Sequence, residues 1–127
     1  MKVLVVDDSA ATRFILSKML ADIDCEVIQA SNGKEGLACL TRHQDVRVAL
    51  VDWNMPVMNG YEMICAVRKD SQYANVKLMM VTTETEMAQI VRAMEAGADE
   101  YLMKPFTKED IIDKLRIMGF EAAEALG

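Results

Sequence analysis

Short apolar runs alternate along the chain with longer amphipathic stretches, and this alternation predicts the secondary structure. The apolar runs are typical of buried strands, and they cover residues 3–6, 26–30, 46–51, 76–81 and 100–103. Between and after them, apolar residues recur at helical spacing over residues 10–21, 33–42, 60–69, 85–95 and 107–118. We expect the first helix to bury one side, formed by Phe14, Ile15, Met19 and Leu20.

Capping residues mark several ends of these helices. Ser9, Asn59 and Thr107 are residue types that cap a helix N-terminus, and Gly97 is expected to end the fourth helix. Five strands alternating with five helices predict a mostly parallel sheet with helices on both faces, joined by right-handed crossovers. The prediction is a single α/β domain over residues 1–127, with a core over about 2–118 and a tail over 119–127.

Composition narrows the possible partners. The chain has 14 basic and 20 acidic residues, a formal net charge of −6, which disfavours direct binding to nucleic acid. No apolar run could span a membrane and no signal peptide is evident, so we expect a cytoplasmic protein. The three cysteines have no metal-site or disulfide spacing and are expected to be small core residues. The core is also expected to contain Met19, Met63, Met79, Met80 and Met94.

Polar residues follow four of the predicted strands. Asp7 and Asp8 follow the first strand, Asp52 the third, Thr82 the fourth and Lys104 the fifth. Because ligands of parallel α/β sheets bind beyond the carboxyl ends of the strands, we expect these side chains to converge at one edge. Adjacent carboxylates repel and raise the pKa of at least one of them, and a hard cation such as Mg²⁺ would relieve that conflict.

This set of side chains suits phosphoryl transfer. Asp52 could attack phosphorus and form an acyl phosphate, while Lys104 pairs with a phosphoryl oxygen and Thr82 donates its hydroxyl to another. Phosphoryl transfer depends mainly on positioning and charge neutralisation, and these groups supply both. Considered alone, Asp7 and Asp8 would also be typical helix-capping acids, and Thr82 could merely cap the fourth helix.

Several motifs resemble those of response-regulator receiver domains, and in particular of the single-domain chemotaxis regulators in that family. They occur in the family's order and at its separations, from Lys2 to about Met118. The motifs are Asp7-Asp8, Asp52-Trp53-Asn54-Met55-Pro56, Gly60, Val81-Thr82, Tyr101 and Lys104-Pro105-Phe106. The resemblance implies a flavodoxin-like, doubly wound (βα)5 fold with a five-stranded parallel sheet in the order 2-1-3-4-5.

The resemblance also implies residue roles. Asp52 would be the phosphoacceptor, and Mg²⁺ would be bound by Asp7, Asp8, Asp52 and the backbone carbonyl of Asn54. Lys104 would bind phosphate and precede a cis peptide bond to Pro105, while Thr82 and Tyr101 would form a switch pair. The implied output surface contains Met87, Tyr101, Met103, Phe106 and Lys114.

Three residues near the phosphoacceptor would tune access and lifetime. Thr83 stands where the family usually has alanine or another small residue, so we expect it to narrow the pocket and slow small phosphodonors. Asn54 and Glu84 lie at positions that tune phosphoryl lifetime in the family, which favours a signal lasting seconds to minutes. Trp53 is expected to be exposed or half exposed.

The implied function is that of a two-component response regulator in chemotaxis or motility control. A histidine kinase would be the phosphodonor, the target would be a protein such as a flagellar motor component or another effector, and Glu84 would be available to a phosphatase. The only chemistry catalysed would be the protein's own phosphorylation and dephosphorylation. We expect no nucleic-acid or membrane partner, and a monomer in the unphosphorylated state.

Other functions remain open at this stage. The chain could be a phosphorelay shuttle or the receiver fragment of a larger regulator. A hydrolase of the haloacid dehalogenase type also uses an aspartate nucleophile, but it places a second acid two residues after the first, where this chain has Ser9. An FMN-binding flavodoxin would need a phosphate-cradling loop after the first strand, where Asp7 and Asp8 would repel phosphate.

Overall fold

The fold is a parallel sheet of five strands covered by helices on both faces. The computed structural model describes residues 1–83 and 87–120. The strands are β1 Lys2–Val6, β2 Glu26–Ala30, β3 Val46–Asp52, β4 Lys77–Thr83 and β5 Glu100–Lys104. Their order is β2-β1-β3-β4-β5 and every neighbouring pair is parallel, which confirms the predicted fold class and strand order.

The helices follow the strands in alternation. They are α1 Ala10–Ala21, α2 Gly33–Arg42, α3 Gly60–Lys69, α4 Met87–Ala96 and α5 Lys108–Ile117, with a 3₁₀ turn at Ser71–Tyr73. These bounds agree with the predicted helices, except that the expected start of α4 at residue 85 lies outside the described residues. Strand β4 extends to Thr83 because Thr82 and Thr83 continue to pair with Met103 and Lys104 of β5.

The predicted caps fix where three of the helices begin. The Ser9 side chain accepts a hydrogen bond from the backbone N–H of Thr12 at 3.2 Å. Asn59 and Thr107 each form a reciprocal capping box with the acid three residues later, which satisfies two backbone donors at each start. Gly97 ends α4 with a φ of +119°, a backbone conformation that favours glycine. Side-chain caps therefore anchor the starts of the helices that follow β1, β3 and β5.

The core consists of two apolar layers, one on each face of the sheet. Successive residues of β1 point to opposite faces, so Val3 and Val5 join one layer while Leu4 and Val6 join the other. Helices α1 and α5 cover the layer of Val3, and helices α2, α3 and α4 cover the layer of Leu4. No helix in the described part of the chain has the length and apolarity needed to cross a membrane.

The expected buried side of α1 is wrong for Phe14 and Ile15, whereas Leu20 is buried as predicted and Met19 packs against the core. Phe14 is 65% exposed and Ile15 is also exposed, whereas Leu16 and Leu20 face the core. Leu16 and Leu20 are four residues apart and therefore lie on one helix face, while Phe14 is two positions from Leu16 and points the other way. The same correction applies to Met94, which is exposed on α4 and does not belong to the core.

Candidate functional site

The predicted strand-end residues converge at one edge of the sheet. Asp7 follows β1, Asp52 ends β3 and Lys104 ends β5. Oxygens of the Asp7, Asp8 and Asp52 carboxylates all lie within 4.8 Å of one another. Strands β1 and β3 are neighbours from which the chain winds in opposite directions, the place where open parallel sheets form a ligand crevice.

Asp7 is the most deeply buried acid of this cluster, at 1% exposure. Its Oδ1 accepts a hydrogen bond from the Ser9 backbone N–H at 2.8 Å. Its Oδ2 accepts no hydrogen bond from any residue the structure describes, although Lys104 Nζ lies 3.7 Å away. A buried carboxylate oxygen in this state is energetically costly unless positive charge reaches it.

Asp52 is 8% exposed and its Oδ1 accepts a hydrogen bond from Lys104 Nζ at 3.1 Å. Burial raises the pKa of Asp52 to about 6, and the negative charges of Asp7 and Asp8 add to the effect, while Lys104 opposes it. One lysine therefore does not balance the acids around it, and Asp52 becomes protonated at a higher pH than an ordinary aspartate.

Lys104 stays charged despite its partial burial. Burial lowers the pKa of Lys104, but Asp52 and Asp7 outweigh that effect, so the pKa lies above its ordinary value of 10.5. The peptide bond from Lys104 to Pro105 is cis, as the resemblance implied.

The donor set suits a small divalent cation. Mg²⁺ prefers oxygen ligands and is usually held by one or two carboxylates with waters completing the shell. The three clustered carboxylates offer such oxygens, and the buried Oδ2 of Asp7 is the one that most needs a positive partner. Asn54, whose carbonyl was the predicted fourth ligand, is exposed and lies two residues beyond Asp52.

The predicted switch pair occupies two neighbouring strands. Thr82 is fully buried near the end of β4, and Tyr101 is half-buried in β5, opposite Met80. Lys114 Nζ lies 4.2 Å from the centre of the Tyr101 ring and also donates a hydrogen bond to Glu100 Oε1 at 3.0 Å. A lysine that is itself ion-paired therefore lies over the face of the Tyr101 ring.

The residues predicted to tune access and lifetime are described only in part. Thr83 is exposed at the end of β4, where it pairs in register with Lys104. Glu84 lies outside the described residues.

The predicted output residues do not share a single groove. Tyr101, Met103 and Lys114 line a groove of about 400 Å³ between β5 and α5. Phe106 instead lines a separate pocket of about 220 Å³, together with residues of α1. Met87 is exposed at the start of α4.

Trp53 is buried, contrary to the expectation. It is 6% exposed, and its ring lies 5.7 Å from that of Tyr61 between ring centres, with the planes at 51°. Burial follows from the way α3 begins, because Gly60 N–H donates a hydrogen bond to the Trp53 carbonyl at 3.0 Å and brings the start of α3 against the ring.

Two arginines that lie near the site were not predicted from the sequence. Arg13 donates a hydrogen bond to the Asp7 carbonyl at 2.6 Å, and Arg92 lies over the rings of Tyr61 and Trp53. A signal existed for Arg13, since it follows the cap Ser9 by four residues and so projects back over the start of the helix. The helical pattern of α4 drew attention to its apolar residues and gave no such signal for Arg92.

Comparison with known proteins places this geometry in a family context. The sequence profile of the response regulator receiver domain matches residues 3–116. A chemotaxis protein CheY homolog of Campylobacter jejuni is 40% identical over 126 residues, 98% of this chain and 97% of that protein. The chemotaxis protein CheY1 of Helicobacter pylori is 39% identical over 119 residues, 93% of this chain and 96% of that protein. The structure of Vibrio cholerae chemotaxis protein CheY4 superposes with a TM-score of 0.84 at 40% identity, covering 91% of this chain and 96% of that one.

Proposed function

The chain belongs to the response regulator receiver domain family, and from that premise we propose that it accepts a phosphoryl group from a histidine kinase on Asp52. Receiver domains of this kind are signalling proteins rather than enzymes with a separate substrate. The observation that carries the proposal is the contact between Asp52 Oδ1 and Lys104 Nζ, within a cluster of three acids. It combines a nucleophile, a fixed positive charge and a set of oxygens for a cation.

In the proposed reaction, a carboxylate oxygen of Asp52 attacks the phosphorus of a phosphohistidine. The new oxygen–phosphorus bond forms as the phosphorus–nitrogen bond breaks, and the histidine nitrogen keeps the bonding electrons. Asp52 must be ionised to attack, and its pKa of about 6 leaves it so at neutral pH. Lys104, already 3.1 Å from Oδ1, is placed to pair with a phosphoryl oxygen as negative charge gathers there.

We propose the carboxylates of Asp7, Asp8 and Asp52 and the carbonyl of Asn54 as ligands of Mg²⁺, which when bound supplies positive charge to the phosphoryl oxygens. The buried Oδ2 of Asp7 supports this assignment because it accepts no hydrogen bond from the described residues. Arg13, bound to the Asp7 carbonyl, holds the backbone of this ligand in place.

Thr82 and Tyr101 would link phosphorylation of Asp52 to a change at the protein surface. We propose that the Thr82 hydroxyl donates to a phosphoryl oxygen and that the ring of Tyr101 then changes position on the neighbouring strand. This would change the surface that contains Met87, Tyr101, Met103, Phe106 and Lys114, shifting the population of the binding-competent form. Asn54, Thr83 and Glu84 would set how fast the phosphoryl group enters and leaves.

The biological setting in the proposal is chemotaxis or motility control in the cytoplasm. It is supported by the relatives, which are named chemotaxis proteins and match this chain over nearly its whole length. The target would be a flagellar motor component or another protein effector, a phosphatase would be a further partner, and the unphosphorylated protein would be monomeric.

Intact-protein mass spectrometry tests the proposed phosphoacceptor. The wild type is incubated with acetyl phosphate, with and without Mg²⁺, beside Asp52→Asn and the control Asp45→Asn, whose acid is exposed and ion-paired to Lys2. We expect a gain of one phosphoryl group that requires Mg²⁺, survives in Asp45→Asn and is absent from Asp52→Asn. A phosphoryl group that persists in Asp52→Asn would contradict the assignment.

A further inference from the structure

Arg92 joins three elements of the protein through two aromatic rings. It lies on α4, and its guanidinium carbon is 4.5 Å from the ring centre of Tyr61, near the start of α3. The same carbon is 5.9 Å from the ring centre of Trp53, the residue that directly follows Asp52. Both distances are within the range in which a cation is attracted to the face of an aromatic ring.

The ring pair under Arg92 is tied to the backbone of the phosphoacceptor. Gly60 N–H donates a hydrogen bond to the Trp53 carbonyl at 3.0 Å. A Cβ atom on Gly60 would lie only 2.3 Å from the Asp52 carbonyl oxygen and 3.0 Å from the Trp53 Cα. The start of α3, which carries Tyr61, therefore lies directly against the peptide that links Asp52 to Trp53.

Arg92 adds a charged side chain to the contact between α4 and this region. Ile90 and Ala93 of α4 are buried in the same apolar layer as Trp53. Arg92 itself is exposed, and it covers the aromatic pair from the solvent side. Apolar packing brings α4 close to the site, and Arg92 adds a positive charge over the faces of the two rings.

We propose that Arg92 is a positioning residue that holds Trp53 and Tyr61, and through them the segment over residues 52–54 at the end of β3, in the geometry the phosphoacceptor site requires. The proposal rests on the proposed function of Asp52 and extends it to a residue on a different helix. This segment carries both the attacking carboxylate and the carbonyl assigned to Mg²⁺, so small displacements there reduce binding and rate together.

Arg92→Met is the principal test variant, because methionine keeps much of the side-chain length and removes the charge. Arg92→Lys keeps a cation over the rings. Arg47→Met is the matched control, since the Arg47 guanidinium lies 5.3 Å over the Phe120 ring near the opposite end of β3. Each variant also has its melting temperature measured, so that a general loss of stability is recognised.

The first readout is the fluorescence of metal-free protein, which reports on one side chain because Trp53 is the only tryptophan. The second is the Mg²⁺ and beryllofluoride concentrations that half-saturate the site, beryllofluoride being an analogue of the phosphoryl group. We expect Arg92→Met to change Trp53 emission and to raise both half-saturating concentrations about two- to fivefold, the size of one exposed cation–π contact. We expect Arg92→Lys to keep both the Trp53 emission and the half-saturating concentrations close to the wild-type values. Arg47→Met should match the wild type in both readouts.

Two results would overturn the inference while leaving the proposed function intact. One is a wild type that binds beryllofluoride through Asp52 while Arg92→Met binds it equally well. The other is an equal loss of affinity in Arg92→Met and Arg47→Met, which would show a general effect of stability. A wild type that binds neither ligand would overturn the proposed function, and the inference with it.

Discussion

Lys104 Nζ donates a hydrogen bond of 3.1 Å to Asp52 Oδ1, although 52 positions separate the two residues in sequence. The contact reaches from the end of β5 to the end of β3, across the end of β4, where Thr82 lies. It places the cation beside one acid, while the buried Oδ2 of Asp7 is left at 3.7 Å. The imbalance between one lysine and three acids is the electrostatic property from which most of the following predictions derive.

The first prediction concerns the pH dependence of stability in metal-free protein. The folded-state pKa of Asp52 is about 6, above its ordinary 3.8, so the folded protein binds more protons than the unfolded chain between these values. The contribution of Asp52 to stability is therefore favourable at low pH and is lost as the pH rises through 6. We expect Asp52→Asn, which removes the buried charge, to be more stable than the wild type at pH 8. The expected difference in the free energy of unfolding is about 1–2 kcal/mol, less than the full pKa shift implies, because solvent screens part of it. This stability difference between Asp52→Asn and the wild type should vanish below pH 4, where Asp52 is protonated in both the folded and the unfolded state.

Urea unfolding in the presence of a chelator at several pH values measures this effect. Asp45→Asn is the control with the opposite sign, because a hydrogen bond from Lys2 lowers the pKa of the exposed Asp45. Its carboxylate stabilises the fold above the ordinary pKa and loses that effect as the pH falls through the folded value. An Asp52→Asn variant that is less stable than the wild type at pH 8 would contradict the proposed electrostatic strain.

The second prediction is that Lys104 and Asp52 are energetically coupled. Removing the cation by Lys104→Met leaves Asp52 and Asp7 without their positive neighbour, and we expect a loss of about 1–3 kcal/mol in metal-free protein. In the Asp52→Asn background the same substitution should cost less, because one of the acids has been neutralised. A double-mutant cycle by urea unfolding at pH 8 measures the coupling. Additive effects of the two substitutions would show that the 3.1 Å contact has no net energetic role.

The third prediction is that Mg²⁺ stabilises the fold through Asp7. A ligand that binds only the folded state adds about 2.7 kcal/mol at one hundred times its dissociation constant. We expect the melting temperature to rise with Mg²⁺ in the wild type and in Asp45→Asn, and to be unaffected in Asp7→Asn. Thermal unfolding monitored by circular dichroism measures this rise in melting temperature. If Asp7→Asn retained the full rise, the buried Oδ2 would not be a ligand.

The fourth prediction concerns strain in the loop after the phosphoacceptor. Val57 has a φ of +69°, a conformation unfavourable for a β-branched residue, and Met58 N–H closes the turn on the Pro56 carbonyl at 2.7 Å. Val57 is also 76% exposed, so its side chain contributes little burial. We expect Val57→Asn to stabilise the protein by about 1 kcal/mol, because asparagine adopts this conformation more readily.

Val91→Asn is the matched control for this substitution. Val91 is likewise exposed but lies within α4, where valine and asparagine have similar helix propensities, so we expect a change near zero. Chemical denaturation of both variants gives the comparison. Equal effects at the two positions would remove backbone strain as the explanation.

Sequence alone predicted the strand-end residues well for a definite physical reason. A buried strand of a parallel sheet is continuously apolar, so Asp7, Asp52 and Lys104 stand out as the places where each run stops. Strand order could not be predicted in this way, because apolar runs do not specify which strands are neighbours. It was predicted from the resemblance to a known family.

The errors arose where a side chain depends on elements distant in sequence. Phe14 fits an apolar face of α1 by spacing, yet the sheet lies against the face of Leu16. Trp53 is buried because the start of α3 folds back over it, which no local pattern indicates. The contacts of Arg92 likewise depend on how α4 packs against α3, and long polar side chains carry little periodic signal of their own.

The last prediction concerns access to the phosphoacceptor. Thr83 pairs in register with Lys104, the residue whose Nζ contacts Asp52, and its side chain is branched at Cβ. We expect Thr83→Ala to increase the rate of labelling by acetyl phosphate several-fold, because a smaller residue widens the approach for a small phosphodonor. The affinity for Mg²⁺ should not change, since Thr83 is not among the proposed ligands, and this separates access from binding. Thr83→Ser, which keeps the hydroxyl and loses only the methyl group, should lie close to Thr83→Ala if bulk is the cause. Labelling at the wild-type rate in both variants would exclude a steric role for Thr83.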